Sequence, residues 1–172
     1  RQHLEGGTRI GYGARAITKG GFNALPKMHM PGGLLIGCDA GTLNFSKIKG
    51  THTAMKSGMV AAECLIGPLT DGGSDVVDTG AYASAFAASW AHDELHRARN
   101  FGPALHKFGP YVGGGFNYVD QNWFGGKLPI TLHDRSRDHA QLAESSGFAP
   151  IEYPRPDGVL TFDKLSSVAL TN

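Results

Sequence analysis

Residues 34–63 read LLIGCDAGTLNFSKIKGTHTAMKSGMVAAE, and the fold class turns on this stretch. Its apolar run, Leu34-Leu35-Ile36-Gly37-Cys38, stands between two breakers, Pro31-Gly32-Gly33 and Asp39-Ala40-Gly41. A short apolar run so bounded predicts a fully buried strand, as in a parallel sheet. Over 51–66 the period changes. Ala54, Met55, Gly58, Met59, Ala62 and Leu65 recur three and four apart, which predicts a helix stopped by Gly67-Pro68. Strand, turn and helix in this order predict a mixed α/β protein.

Working outward, residues 1–33 are glycine-rich and irregular, with one short strand candidate over 8–12. Downstream, 70–80 reads as a polar loop and 80–99 as a second helix. That helix carries Ala81, Phe86, Trp90, Leu95 and Ala98 broadly on one side, and Arg97 and Arg99 suit the negative end of its dipole. Residues 100–133 alternate aromatics with glycines and hold few charges; 134–158 are polar and contain proline. A short final helix is expected from Thr161 or Asp163, covering 165–170. No internal repeat is visible.

Composition narrows the function classes. Of 172 residues 25 are glycine, about twice the usual share, but without the period of collagen, and 41% hydrophobic content is too high for a disordered chain. A net charge of +1 gives no field for nucleic acid, so no nucleic-acid partner is expected. Two cysteines, Cys38 and Cys64, cannot make a zinc cage or a disulfide scaffold. They read most simply as reduced thiols, with one disulfide left open. No apolar run approaches the ~20 residues of a membrane span. The chain opens on Arg1 with neither Met nor signal peptide, which reads as a piece of something longer.

Chemistry concentrates in 34–63. An acid at a strand end, Asp39, can accept hydrogen bonds from ligand hydroxyls. The helix start at Lys49-Gly50-Thr51-His52-Thr53 offers unpaired N–H groups and a positive dipole end to an anion or an electron-rich ring. Gly50, Ala54 and Gly58 are small enough to let that helix approach a ligand or a sheet. Equally, Asp39 serves as a turn cap and Thr51 as a helix cap. Other features are weaker. His92 and His96 have metal-ligand spacing, but Glu94 stands two places after the first His, so the zinc-protease pattern fails. A solvated face with an Asp93–Arg97 pair explains them better. Asn44-Phe45-Ser46 is a sequon without secretory context, Cys38 a small core residue, and Lys47, Lys49 and Lys56 either an anion-steering set or a solvated edge. Gly11-Tyr12-Gly13-Ala14-Arg15-Ala16 fits G-x-G-x-x-A, but no apolar strand precedes it and Gly20-Gly21 breaks any helix after it.

The run KIKGTHTAMKSGMVAAE, with GGLLIGCDAG before it, resembles the electron transfer flavoprotein–ubiquinone oxidoreductase family. YGARAITKGGFNALPKMHMPGG upstream and PIEYPRPDGVLTFDKLSSVAL near the end extend the resemblance over essentially the whole chain, against a middle-to-late piece of the family's length. The resemblance implies a partial FAD-binding domain. Asp39 matches the position that approaches the ribityl or pyrophosphate part of FAD. Gly50, Thr51, His52 and Thr53 match a helix start aimed at the flavin ring, whose N–H groups and hydroxyls stabilise negative charge on the reduced cofactor. Gly20 and Gly21 match backbone that approaches ubiquinone in the quinone-binding region, though as glycines they also simply turn the chain. Tyr111, Phe116, Trp123 and Phe124 match a segment that touches the membrane near the quinone entrance. Amphipathic aromatics favour the headgroup level; the other reading is an ordinary aromatic core under a loop.

The organisation implied is the end of a quinone-binding region over 1–33, the later part of an FAD-binding domain over 34–70, and a helical, aromatic, membrane-proximal region over 71–172. The family's 4Fe-4S cluster takes cysteines that this chain lacks, so no metal ligand and no acid–base catalytic residue are assigned here. The implied enzyme passes electrons from reduced electron transfer flavoprotein to ubiquinone. It would sit monotopically on the cytoplasmic face of a bacterial inner membrane or the matrix side of the mitochondrial inner membrane. This polypeptide alone is expected not to catalyse the overall reaction. Two other readings stand beside it: a nitrogen-fixation-linked flavoprotein dehydrogenase sharing the flavin motif, and a non-catalytic membrane- or protein-binding module.

Overall fold

The computed structural model describes residues 6–8, 10–11, 13, 16–70, 79–134, 136, 140, 142–152, 155–159, 163 and 165. It divides into residues 17–137 and a second unit made of 1–16 with 138–172. In the second unit the described residues include one turn of 3-10 helix, Ser145–Gly147, and an Asp157 carboxylate accepting the Val159 N–H at 2.9 Å. Residues 9 and 12 of the strand candidate over 8–12, and all of the final helix over 165–170 but Leu165, lie outside the described residues. Thr8, Ile10 and Gly11 are not in a strand, and Leu165 is helical.

In the larger unit the sheet is a two-residue antiparallel pair, β1 (His29–Met30) with β2 (Gly33–Leu34). The buried parallel strand expected over 34–38 is therefore corrected. Only Leu34 pairs, Leu35 donates to the Met28 carbonyl at 2.9 Å, and Ile36 is 43% exposed. Glycines turn the chain away. Gly37 (φ 63) opens a 3-10 turn, Gly37–Ala40, closed by Gly41 (φ 82), left-handed values that glycine adopts at no steric cost. The Gly37 N–H, which a sheet would have used, donates instead to Ser57 Oγ at 2.9 Å.

Helix α1 spans Thr51–Thr70, four residues beyond its expected end. Pro68 sits inside the last turn, where the helix is exposed and few intrahelical bonds remain to lose. Thr70 Oγ1 lies 2.8 Å from the Ile66 carbonyl and 3.0 Å from that of Gly67, tightening the end. The inward face is not the apolar stripe of the sequence period. Thr53, Ser57, Val60 and Ala61 are buried, whereas Met55 and Met59 are exposed. Small and hydroxylated residues face in because the Gly37–Ala40 turn lies directly against this helix: a Cβ on Gly37 would meet that of Ala54 at 3.4 Å.

The helix expected over 80–99 is two, α2 (Gly80–Ala87) and α3 (Trp90–Arg97). Ser89 makes the break: extended at ψ 153, its hydroxyl donates back to the Phe86 carbonyl at 2.7 Å and caps α3 by accepting from the His92 N–H. Tyr82, Phe86, Ala91 and Leu95 enter the core with Met28, Ala40, Val60 and Ala61. Burying side chains the size of Tyr82 and Leu95 gives about 1.5–3 kcal/mol each. The expected Asp93–Arg97 pair forms at 2.7 Å.

Residues 100–133, where the sequence showed aromatics alternating with glycines, are largely helical. Helix α4 covers Phe101–Asn122 and is interrupted at Gly109 (φ 74, ψ 177). Pro110 starts the second segment, where its missing N–H costs nothing. This segment folds back on the first: Asn117 donates to the Phe101 carbonyl at 2.9 Å, and a Cβ on Gly113 would collide with the Ala104 carbonyl. Beyond it Arg99, 7% exposed, gathers the returning chain. Its guanidinium donates to the carbonyls of His96, Gly126, Leu128 and Ile130 and to the Thr131 hydroxyl, using all five N–H groups.

Candidate functional site

The start of α1 is built by one close approach. Gly50 is buried, and a Cβ there would stand 3.0 Å from the Leu43 Cα, so only glycine lets the chain enter the helix under 42–43 without displacing backbone. The first i−4 acceptor is Gly50 itself, taken by the Ala54 N–H at 2.8 Å; the amides of Thr51, His52 and Thr53 precede it. Thr51 is exposed and Thr53 is fully buried. The Thr53 hydroxyl sits between the carbonyls of Thr42 and Gly50, at 2.5 and 2.9 Å, and so faces the protein.

His52 is fixed from two sides. Its ring stacks on Trp90 (centroids 5.9 Å apart, planes 13° apart), and Nε2 lies 2.6 Å from Glu94 Oε1. Glu94 also accepts from Asn44 Nδ2 at 2.8 Å and from Lys47 Nζ at 2.7 Å. Burial alone would raise the Glu94 carboxyl; hydrogen bonds from Lys47, His52 and Asn44 outweigh it and hold the pKa at about 2, against an ordinary 4.5. The opposite nitrogen of the ring, His52 Nδ1, is buried with no hydrogen-bond partner among the described residues.

Asn44 joins this group to the loop before α1. Fully buried, its Oδ1 accepts from the Ser46 N–H and hydroxyl and from the Lys47 N–H, while its backbone bridges to Lys49. The 44–49 loop is thus pinned at both ends, with Ile48 held at φ 53 at its exposed tip. The buried amide of Asn44 is unavailable as a glycosylation acceptor. Asp39, in the Gly37–Ala40 turn against α1, is exposed.

Gly20 and Gly21 precede a 3-10 turn, Phe22–Ala24. Gly21 has φ 67, and a Cβ on Gly20 would run into that of Ala24, so conformation and space each call for glycine. The Phe22 ring stands edge-on between His92 and His96, 5.0 Å from each centroid. Those histidines are therefore ring-packed rather than simply solvated. Burial, then the nearby charges of Arg99 and His92, lower the His96 pKa. Helix α3 thus separates two candidate regions, with Trp90 and Glu94 toward the α1 start and His92 and His96 toward the glycine turn.

On α4 and just after it, Tyr111 is 92% and Trp123 73% exposed, and Phe124 is half exposed. Phe116 is half-buried against Phe108, with centroids 6.3 Å apart. Val112 and Tyr118 extend the exposed patch. Gly113, Asn117 and Asp120 are buried on the opposite side.

No family model matches the chain. Among curated proteins it is 60% identical over 172 residues to an electron transfer flavoprotein–ubiquinone oxidoreductase of Pseudomonas aeruginosa, covering 100% of the chain and 31% of that protein. It is 46% identical over 177 residues to the mitochondrial enzyme of that name in Caenorhabditis elegans and 44% identical over 176 to the human one, covering 99% of the chain and 29% and 28% of those proteins. The chain is a homologue of one stretch of the electron transfer flavoprotein–ubiquinone oxidoreductases. It spans about three-tenths of the length of these curated relatives.

Of the residues that resemblance to the electron transfer flavoprotein–ubiquinone oxidoreductases singled out, the structure gathers Gly50, Thr51, His52 and Thr53 at one helix start, with the turn bearing Asp39 packed against that helix. Sequence reasoning missed Glu94, Asn44 and Trp90. The Asn44–Ser46 turn had a local signal, an Asn two residues before a Ser. Glu94 had none, because its contact with His52 joins residues 42 apart in sequence. Among the described residues no three of His, Cys, Asp and Glu gather as metal ligands, and the two free cysteines do not fit a four-iron cluster, which takes four. No helix among them is long and apolar enough to cross a membrane.

Proposed function

We propose that this chain supplies the flavin-facing turn, the quinone-side turn and the lipid-facing surface of an oxidoreductase that passes electrons from reduced electron transfer flavoprotein to ubiquinone. The observation that carries this reading is the start of α1. There Gly50 permits a close approach and Thr51 and His52 stand at an open helix terminus, in a stretch homologous throughout to enzymes of that name. The donor set fits a flavin. A helix N-terminus favours negative charge, the Thr51 hydroxyl is exposed, and the orphaned His52 Nδ1 invites a partner. FAD bound there supplies the redox chemistry. The chain's own part is to bind and orient it with the α1 amides, Thr51 and His52, while Asp39 offers a carboxylate to ligand hydroxyls. Thr53 supports the site by holding Gly50 and Thr42 in place.

Gly20 and Gly21 form the quinone-side backbone, and the exposed Tyr111, Trp123 and Phe124, with Phe116 behind them, form a monotopic contact with the inner membrane. Cysteines outside this chain hold the 4Fe-4S cluster, so the isolated polypeptide does not catalyse the overall reaction. Thr51→Val in the full-length protein tests the flavin assignment. FAD should be retained with a shifted visible spectrum and a lower affinity for the reduced form; an unchanged spectrum and potential would count against it. The exposed aromatic face also suits a non-catalytic docking module. A full-length protein that binds vesicles but no flavin would favour that second reading.

A further inference from the structure

Glu94 lies on α3, outside every segment that the flavin reading uses, yet it ties the 44–49 loop to the α1 start. Three donors converge on its two oxygens: Asn44 Nδ2 and His52 Nε2 on Oε1, and Lys47 Nζ on Oε2. An ammonium and an amide can only donate to it, so the carboxylate acts as acceptor throughout. The proton between Glu94 and His52 in the neutral ring therefore belongs to Nε2, which leaves Nδ1 with a lone pair. Trp90, stacked on the ring, opposes a flip that would exchange the nitrogens.

We propose that Glu94 is a positioning residue for the flavin site: it fixes His52 as the Nε2–H tautomer and presents Nδ1 as a hydrogen-bond acceptor at the first turn of α1. The role rests on the flavin reading above. An acceptor buried without a donor is destabilising, so Nδ1 is a place where a donor on the ligand, or a water it orders, is taken up. The groups facing Glu94 are Lys47 and Asn44 from the loop and His52 from α1; the charged neighbours on its own helix, Asp93 and Arg97, pair with each other. The arrangement also explains why the 44–49 loop is pinned so tightly, since Asn44 and Lys47 hold the carboxylate that holds the ring.

Two measurements test this. In the ¹⁵N-histidine-labelled chain above neutral pH, with His52→Gln used for assignment, long-range proton–nitrogen spectra should show His52 as a single Nε2–H tautomer. Glu94→Met, which keeps volume but removes the acceptor, should give a mixture. Glu94→Gln, which keeps an acceptor oxygen for the ring while losing Lys47, should restore the single form, and it serves as the readout if the Met variant does not fold. In the flavin-loaded full-length protein, Glu94→Met should change the equilibrium ratio of reduced to oxidised flavin against a fixed redox buffer by about fivefold, the scale of one modest hydrogen bond. In a His52→Gln background it should change that ratio hardly at all. A wild-type tautomer mixture, or a tautomer indifferent to Glu94→Met, overturns the positioning role while leaving the flavin reading in place. A tautomer fixed by Glu94 beside a flavin ratio indifferent to His52→Gln overturns the flavin assignment of His52 and the role with it.

Discussion

Helix α3 and the second segment of α4 are opposites in how they spend their side chains. Helix α3 buries Ala91 and Leu95 and turns Asp93 and Arg97 to water, with a serine cap at its start and basic residues at its end. The α4 segment buries Gly113, Asn117 and Asp120 and turns Tyr111, Val112, Tyr118 and Trp123 outward. The first packs apolar side chains inward and presents charge to water. The second packs by close backbone approach and polar contacts, and leaves its apolar surface for something else. Both sit beside a candidate region, so stability and binding lie on different faces here.

The largest effect expected from breaking this contrast is at the end of α3. Arg99→Ala removes five donors at once and leaves the Gly126 and Leu128 carbonyls with no other partner among the described residues, so stability should fall by about 3 kcal/mol or more. Urea unfolding measures it, and a loss below about 1 kcal/mol would mean that the 126–131 segment is held some other way. Next comes Glu94→Ala, expected to cost about 1–3 kcal/mol at neutral pH because a partly buried carboxylate bonded by three donors is lost. Its pH dependence has a definite sign. The folded pKa of about 2 lies below the ordinary 4.5, so the Glu94 contribution is complete above about pH 4.5 and fades as pH falls toward 2. The gap between wild type and variant should close over that range; a constant gap would show that the carboxylate's charge contributes nothing.

Gly113→Ala tests the buried face of α4. Its Cβ would meet the Ala104 carbonyl and the Leu105 Cα, backbone atoms that cannot rotate away, so about 1–3 kcal/mol of overpacking is expected. The same change at Gly114, whose Cβ meets nothing within 4 Å, should be neutral or slightly stabilising by helix propensity. Thermal melts of the two variants should therefore move in different directions.

The contrast also explains what could be read in advance. The α3 cap, its Asp93–Arg97 pair and its core residues follow local rules, and the sequence showed the pair directly. The break at Ser89 was hidden by apolar residues spaced well enough to span it, and a cap inside such a pattern looks like one more helical position. Helix α4 was illegible for a different reason. Eight and nine residues after Phe101, Gly109-Pro110 and then three glycines at 113–115 argue against a helix by propensity, and close packing of Gly113 on Ala104 overrides them. The run 34–38 has the composition of a buried strand, but Gly37 and Ser57 redirect its backbone, and a hydrogen bond to a residue 20 positions later leaves no local trace. Gly50, Thr51 and His52 could be named because an open helix start is a local feature; Glu94 could not, because it reaches the site only through the tertiary fold.

The smallest expected change in stability concerns the outward face of α4. Trp123 and Phe124 are 73% and 50% exposed, so Trp123→Ser with Phe124→Ser should alter unfolding free energy by only about 0.5 kcal/mol each. If the aromatics are there for a lipid surface, the same double change should markedly reduce co-sedimentation with phospholipid vesicles, since the rings supply the apolar area that enters the headgroup region. Ser substitutions at Met55 and Met59, exposed on α1, provide the matched control. They remove comparable apolar surface from a different helix, and vesicle binding should persist. Loss of binding in both variants would show that sedimentation follows general hydrophobicity; loss in neither would remove α4 from the membrane contact. Loss in the α4 variant alone would mark the inverted packing of that segment as the feature that serves binding, with its stability drawn from Gly113, Asn117 and the Arg99-held chain behind it.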